Sequence, residues 1–220
     1  GTRATSIYVA EYGSNGYFVS DYIPTYTIKT KNGYYWYAET DGDVVGKYSR
    51  DNYHQDEWFF TESSSSNSGV NIWNASRGAT SVLLVEGNTS GTVGGMYKAD
   101  AAGLSYSYDC MYNSTGDFFR NSYYTSMYLG LNSSAGYISN QSSLNNNVYV
   151  TLSEGPVYEC PKSFSFGKTS QTMNVGNIDV FTVGIKSLWS YSISSQSNNG
   201  EYEVISIEFT SEGFNIVAKN

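Results

Sequence analysis

Residues 26–60, YTIKTKNGYYWYAETDGDVVGKYSRDNYHQDEWFF, decide the fold of this 220-residue chain. Four short apolar runs lie within the stretch, at 26–28, 34–38, 44–45 and 58–60. Turn signals separate the runs, chiefly Asn32-Gly33 and Asp41-Gly42-Asp43, because Asn-Gly and Asp-Gly readily adopt the positive φ angles of tight turns. The stretch therefore predicts four short β-strands joined by tight turns.

The composition favours an all-β protein and excludes several kinds of partner. Only 15% of the residues are charged, and 22 of the 220 are tyrosine, a residue that suits half-buried strands. The net charge of −8, without a basic cluster, would repel a phosphate backbone, so we expect no nucleic-acid partner. No run of about 18 apolar residues occurs, so we expect no membrane span.

The four-strand pattern recurs twice more along the chain. Matching apolar positions in the first, second and fourth strands recur at intervals of 43 to 48 residues: Ile28, Ile72 and Phe118; Trp36, Leu83 and Leu129; Trp58, Tyr106 and Tyr149. Residues 104–112 alternate between apolar and polar, which predicts a strand with one buried face. Three steady copies indicate a repeat architecture, and an irregular β-sandwich is the alternative.

Three repeats of four strands resemble the β-trefoil family over about residues 26–154. The resemblance implies a short six-stranded barrel capped by three hairpins. In the ricin-type lectin branch of that family, a sugar site uses an Asp early in the repeat, an aromatic platform, a later Asn or Gln, and a structural Gln-x-Trp. Trp58 stands where that Trp would be, but Asp56 replaces the Gln.

We predict three segments along the chain: an N-terminal hairpin extension at 1–25, a trefoil-like module at 26–155 and a small β-sandwich at 156–220. Asn15-Gly16 predicts the hairpin turn, Pro24 its end and Gly155-Pro156 a linker. The tail predicts strands at 164–166, 172–175, 180–185, 188–193, 202–209 and 214–218.

The tail FSFGKTSQTMNV…VFTVGIKSLWSYSIS looks like the BACON family of Bacteroidetes surface proteins and implies an Ig-like sandwich. Trp189 resembles the inter-sheet Trp of such a sandwich. The alternation changes parity at Val204-Ile205, which predicts a β-bulge there. Cys110 and Cys160 either form a disulfide or remain reduced apolar residues, and the sequence leaves both alternatives open.

The sequence contains no visible catalytic constellation, so we expect neither enzymatic activity nor a cofactor. The single histidine, His54, lies near Asp51 and Asp56, and we interpret it as a solvated turn residue rather than a general base. Asp41-Gly42-Asp43 could offer oxygen ligands to Ca²⁺, but a hairpin turn explains the triplet more simply. We therefore predict no metal site.

A sugar site needs a flat aromatic ring beside a carboxylate or an amide. The first copy supplies these groups in its polar residues: Asp41 or Asp43 as the carboxylate, Tyr35 and Tyr37 as aromatics, and Gln55, within the polar loop 51–57, as the amide.

The three tryptophans within the repeats differ in the surroundings that the repeat pattern predicts. Trp36 and Trp58 match apolar positions in the other copies, so we expect them in the core. Trp73 has no apolar counterpart and is predicted to be the exposed tryptophan, available to a ligand.

These observations predict a non-catalytic bacterial protein that is secreted or attached to the cell surface, with a lipid anchor as an open possibility. The leading hypothesis is binding of an oligo- or polysaccharide. The alternatives are a structural or adhesive protein that contacts an extracellular protein partner and, third, a glycoside hydrolase.

Overall fold

The computed structural model describes residues 1–63, 69–99, 108–160, 172–175, 178–183, 187–192, 202–210 and 213–219. The fold is all-β, as predicted, and the described ranges contain no α-helix. Consequently no helix within them is long and apolar enough to cross a membrane.

The described part of the chain contains seventeen strands. The N-terminal strand and the first set of four are β1 (Val9–Ala10), β2 (Tyr22–Thr30), β3 (Tyr35–Ala38), β4 (Val44–Lys47) and β5 (Trp58–Glu62). The second set is β6 (Val70–Asn74), β7 (Ser81–Leu84), β8 (Gly95–Lys98) and β9 (Cys110–Asn113). The third set is β10 (Phe118–Asn121), β11 (Tyr128–Leu131), β12 (Ile138–Gln141) and β13 (Val150–Glu159). The last four are β14 (Thr172–Val175), β15 (Ile178–Val183), β16 (Glu203–Phe209) and β17 (Phe214–Lys219).

The three sets of four strands are connected in the same way. In each set the first strand pairs with the second, and the second pairs with the third. The fourth strand of each set pairs with the first strand of the next, through β5·β6 and β9·β10, and β13 returns to pair with β2. Within the sets, β2 also pairs with β5 and β6 with β9, so six strands form a continuous row in the order β10-β9-β6-β5-β2-β13. At the two ends of this row, the Val150 N–H of β13 donates to the Asp117 carbonyl beside β10 at 2.8 Å.

The three hairpins β3–β4, β7–β8 and β11–β12 also contact one another. Isolated antiparallel bridges join them at Asp43 with Gly95, Val45 with Tyr137, and Val93 with Ser139. One bridge links each pair of hairpins, so the hairpins of all three sets meet at one place.

Buried side chains of these strands and hairpins form a central core. Trp36, Leu83 and Leu129, the matching positions in the second strand of each set, are all buried in it. Burying an aliphatic or aromatic side chain of this size contributes about 1.5–3 kcal/mol. The prediction that Trp36 and Trp58 are core residues is confirmed.

Two other predicted equivalences are displaced. Phe119, not Phe118, is paired with Leu129 and lies in the central core, so Phe119 is the counterpart of Ile28 and Ile72. A one-residue error in a strand moves the side chain to the opposite face.

The counterparts of Trp58 in the core are Cys110 and Val150 rather than Tyr106 and Tyr149. Each of the three lies two residues before the fourth-strand residue that is paired with Ile72, Phe119 or Ile28. The period fails at the fourth strand because the connections that precede it differ in length among the sets. Tyr106, with the rest of 100–107, lies outside the described residues.

The N-terminal segment forms the predicted turn but ends differently. Gly16 has φ 83°, and the Gly13 N–H donates to the Tyr17 carbonyl at 2.7 Å, as expected of a hairpin at Asn15-Gly16. Pro24, however, lies inside β2 opposite Val157 and does not end a segment. A register shift between Glu154 and Val157 accommodates its missing N–H donor, since proline in a sheet is confined to edges and bulges.

The pattern change at Gly155-Pro156 lies inside β13, which continues to Glu159, and is not a linker. The interruption in the apolar alternation comes from the same register shift, because a bulge admits residues that a regular ladder would not.

A second core lies on the outer side of β5, β6 and β7. Phe18 of the N-terminal hairpin packs there with Phe59 and Trp73, and Leu188 and Trp189 pack onto the same cluster. The prediction that Trp189 is buried is confirmed, with an exposed fraction of 4%, but it belongs to this cluster and not to the core of the C-terminal sheet.

The C-terminal strands form one four-stranded sheet in the order β14-β15-β17-β16. The predicted bulge is confirmed, because the register of β16 shifts between Val204 and Ser206. The strand predicted at 188–193 is wrong for its described part, where 187–192 form a turn and an extended segment without ladder pairing. The strand predicted at 164–166 lies outside the described residues.

Cys110 and Cys160 do not form a disulfide, which resolves the alternative left open by the sequence. Cys110 is buried in the central core, whereas Cys160 packs at the margin of the second core.

Candidate functional site

A cleft of about 630 Å³ opens beside the first set of strands. Three segments build it: β3 and the turn after it, the loop between β4 and β5, and the turn between β6 and β7. The lining residues are Tyr37, Glu39, Thr40, Asp51, Tyr53, Gln55, Ser76, Arg77 and Thr80.

Tyr37 lies on the inner wall of the cleft. Its hydroxyl is within hydrogen-bonding distance of the Asp51 carboxylate and the Gln55 side-chain carbonyl. Burial raises the pKa of Tyr37 above its ordinary value, and the hydrogen bond to Asp51 and nearby carboxylates raise it further. The hydroxyl therefore remains protonated and donates a hydrogen bond.

The loop 51–57 is held in place by bonds to its backbone. Asp51 Oδ1 accepts the Tyr53 N–H at 3.0 Å. The main-chain carbonyl of Gln55 accepts from the Ala38 N–H and from Asn74 Nδ2, each at 2.9 Å. The Tyr53 N–H holds the carboxylate of Asp51, and the Tyr37 hydroxyl contacts the side-chain carbonyl of Gln55. The ring of Tyr53 is left 72% exposed at the rim.

Arg77 supplies the cation of the cleft. Its Nε donates to Ser81 Oγ at 2.8 Å, and its Nη1 donates to the carbonyls of Glu39 and Thr40 at 3.2 Å. Among the residues that the structure describes, no carboxylate lies within ion-pair distance of this guanidinium. Arg77 is therefore a fixed donor whose charge no neighbouring carboxylate neutralises.

Glu39 forms an ion pair with Lys47 across the cleft wall, with Oε1 and Nζ 2.7 Å apart. The Lys47 ammonium also lies 5.2 Å from the centre of the Tyr37 ring. The cleft thus contains two carboxylates, Glu39 and Asp51, and one guanidinium, Arg77.

The structure brings two of the predicted site residues, Tyr37 and Gln55, into the cleft. The rest of loop 51–57 contributes Asp51 and Tyr53, which the sequence indicated only as part of a polar loop. Arg77 was not predicted, because nothing in the sequence relates a turn of the second copy to the first copy.

Asp41, Asp43 and Tyr35 are not among the residues that line the cleft. Asp41 Oδ1 accepts the Asp43 N–H at 3.0 Å, and Gly42 has φ 102°, so this triplet is the predicted hairpin turn. The ring of Tyr35 has the Lys29 ammonium 5.0 Å and the Arg50 guanidinium 5.9 Å from its centre. These cations occupy space that a stacked sugar would need.

Trp73 is fully buried, with an exposed fraction of 0%, so the prediction of an exposed tryptophan is wrong. Its indole N–H donates to Thr61 Oγ1 at 2.8 Å. The rings of Tyr12 and Phe18 pack against it, because the N-terminal hairpin folds over the outer face of β6. A comparison among the three copies could not reveal this cover, since the hairpin belongs to none of them.

His54 is more constrained than a solvated turn residue. Its Nδ1 lies 2.8 Å from Glu57 Oε1 and 3.0 Å from the Tyr158 hydroxyl, and its backbone has φ 65°. Its carboxylate partner is Glu57, not Asp51 or Asp56. These contacts fasten the loop 51–57 to β13.

No group of three or more potential metal ligands gathers within the described ranges of the chain. No known protein-family model matches this chain, and no curated protein matches it significantly. The chemical groups that line the cleft are therefore the main indication of function.

Proposed function

We propose that the chain is a non-catalytic carbohydrate-binding protein and that the cleft at Tyr37 is its binding site. One observation carries the proposal: the cleft places an exposed tyrosine ring beside a fixed carboxylate, a fixed amide and a fixed guanidinium. A concave site with a few convergent polar groups and an aromatic wall is the general form of a small-molecule site.

The groups match the chemistry of a pyranose. A sugar presents C–H faces and a ring of hydroxyls, each of which both donates and accepts. Tyr53 offers a ring for the C–H face, Asp51 accepts from hydroxyls, and Arg77 donates to them. Gln55 can do both, because its amide carries an acceptor and a donor.

The arrangement of the strands supports a β-trefoil-like module over residues 26–155. The resemblance implies a six-stranded barrel capped by three hairpins, and the row of six strands together with the three hairpins that meet at one place supports it. For the C-terminal sheet we retain the proposal of a BACON-like or Ig-like module. The composition is rich in tyrosine, and only 15% of the residues are charged, which supports a secreted or surface-attached protein, with a lipid anchor as one form of attachment.

Hydrolysis is less well supported than binding, although two carboxylates line the cleft. Glycoside cleavage commonly needs one carboxyl group that stays protonated to act as a general acid. Glu39 is paired with Lys47, and Asp51 accepts from the Tyr53 N–H and contacts the Tyr37 hydroxyl. Both carboxylates are therefore already engaged by neighbouring groups of the protein.

A glycan array followed by titration of Trp fluorescence tests the proposal. We expect Tyr53→Ala to weaken the best glycan about tenfold, which corresponds to about 1.4 kcal/mol. Tyr48→Ala is the matched control, because Tyr48 is 76% exposed but does not line the cleft. Absence of binding across a broad panel of neutral and acidic glycans would contradict the proposal.

The alternative, an adhesive surface protein, is supported by the exposed rings of Tyr48, Tyr53 and Tyr123. Exposed tyrosines supply contact area at low entropic cost in protein interfaces. This alternative predicts binding of an extracellular protein, in the absence of glycan, that Tyr48→Ala weakens as much as Tyr53→Ala.

A further inference from the structure

The turn that forms one wall of the cleft contacts the C-terminal part of the chain on its other side. The turn between β6 and β7 presents Arg77 and Thr80 to the cleft. On the other side of the same turn, the Ala79 N–H donates to the Ser187 carbonyl at 3.3 Å. A Cβ added at Gly78 would lie 2.8 Å from that carbonyl oxygen, so the two backbones are in close contact.

The segment 187–190 is itself held firmly. Leu188 is fully buried, and its carbonyl accepts the Phe18 N–H at 2.9 Å. The indole N–H of Trp189 donates to the Ser20 carbonyl at 2.8 Å, and Ser190 Oγ accepts from Asn15 Nδ2 at 3.2 Å. The N-terminal hairpin therefore clamps this segment against the turn.

The turn can transmit a displacement because it is tightly bonded internally. The Arg77 N–H donates to the Asn74 carbonyl at 3.1 Å, and the Thr80 N–H donates to the Arg77 carbonyl at 3.2 Å. Thr80 Oγ1 donates to the same carbonyl at 2.5 Å. A shift at Gly78 consequently moves the backbone that carries the guanidinium of Arg77.

We propose that segment 187–190 positions the cleft wall, so that docking of this segment and occupation of the cleft stabilise each other. Ser187 acts through the turn and touches no ligand, which makes it a positioning residue. The coupling is reciprocal by thermodynamic necessity: whatever strengthens one contact strengthens the other. The ligand in this statement is the carbohydrate of the proposed function, on which the binding part of the inference rests.

Gly78→Ala tests the contact. The new methyl group must displace Ser187 or the turn, whereas Gly87→Ala, the matched control, introduces a methyl group with no atom within 4 Å. Both glycines have positive φ, 57° and 85°, so both variants carry backbone strain and only Gly78→Ala adds a collision.

Two kinds of measurement, amide hydrogen exchange and glycan binding, are made on the full chain. Amide hydrogen exchange at Ala79 and Thr80, without ligand, is expected to accelerate about tenfold or more in Gly78→Ala and to stay unchanged in Gly87→Ala. The best glycan from the array is expected to bind Gly78→Ala about tenfold more weakly and Gly87→Ala as tightly as the wild type. In the wild type, saturating glycan is expected to slow exchange at Ala79.

Equal exchange rates in Gly78→Ala and Gly87→Ala would overturn the positioning contact. Unchanged exchange at Ala79 in the glycan-saturated wild type would overturn the coupling, and this measurement needs no variant to fold. If no glycan binds the wild type, the proposed function fails, and the ligand-free exchange comparison still decides whether Ser187 holds the turn.

Discussion

For a single residue, the strand on which it lies and the face to which it points determine whether its side chain is buried. Trp36, Leu83 and Leu129 differ in size but occupy the same place in three hairpins, and all are buried. Cys110 shares its place with Trp58 and Val150, so it is a core residue rather than a reactive one. Burial raises the pKa of the Cys110 thiol to about 12, and the neighbouring Asp109 carboxylate contributes in the same direction.

The two thiols should therefore differ sharply in reactivity. We expect a water-soluble disulfide reagent at pH 8 to modify Cys160 in the folded protein and Cys110 only after unfolding, because the thiolate is the reactive form. Thiol counting by absorbance, with Cys160→Ser as the control, measures this. Rapid modification of Cys110 in folded Cys160→Ser would contradict it.

The same thiol predicts a loss of stability in alkali. Its pKa is about 12 when folded and 9.0 in the reference state, so above pH 9 the unfolded chain loses a proton that the folded chain keeps. The stabilising contribution is complete below pH 9 and falls as the pH rises to about 12, by up to about 1.4 kcal/mol per pH unit. Urea unfolding between pH 8 and 11 should show a shallower decline for Cys110→Val than for the wild type, and identical slopes would exclude this origin.

At the scale of elements, segments outside strands β2–β13 determine which faces of those strands are exposed. Turns at Asn15-Gly16 and Asn32-Gly33 follow local chemistry, and Gly33 has φ 92° as Asn-Gly turns require. The outer face of β6 has no such local explanation. Trp73 on that face is buried because the N-terminal hairpin and segment 187–190 lie over it.

Trp73→Ala should consequently be strongly destabilising. We expect a loss of about 3–5 kcal/mol, the usual cost of removing a large buried aromatic ring. Tyr48→Ala, at an exposed ring, should change the free energy of unfolding by less than about 0.5 kcal/mol. Chemical denaturation followed by circular dichroism compares the two, and a cost for Trp73→Ala as small as the Tyr48→Ala control would mean that the ring is not packed.

At the scale of the whole molecule, strands β1–β13 and the C-terminal part share one apolar cluster. Leu188 and Trp189 pack with Phe59 and Trp73, so separating the two parts would expose large apolar side chains. A shared core of this kind favours cooperative unfolding.

Trp189→Phe and Trp189→Ala should form a graded series. The phenylalanine keeps a ring but loses the indole N–H donated to Ser20, so we expect a cost of about 1–2 kcal/mol. The alanine should cost about 3–5 kcal/mol and lower the midpoint of the whole transition. Denaturation followed by both tryptophan fluorescence and near-ultraviolet circular dichroism measures it. Two separate transitions, with Trp189→Ala affecting one alone, would contradict a shared core.

Sequence patterns were sufficient to predict the all-β class, most strands, the turn at Asp41-Gly42-Asp43, the bulge near Val204-Ile205 and the burial of Trp36 and Trp58. These features depend on alternation, turn chemistry and internal repetition, which act over a few residues or between copies of one pattern.

The composition of the cleft and the burial of Trp73 depend on tertiary packing and could not be predicted from the sequence. The cleft joins Tyr37 to Arg77, and the second core joins Phe18 to Trp189, across separations that no local periodicity records. Which polar groups converge, and which aromatic rings are covered, follows from how distant segments pack, because the free energy of burial depends on what lies against a side chain and not on its neighbours in the chain.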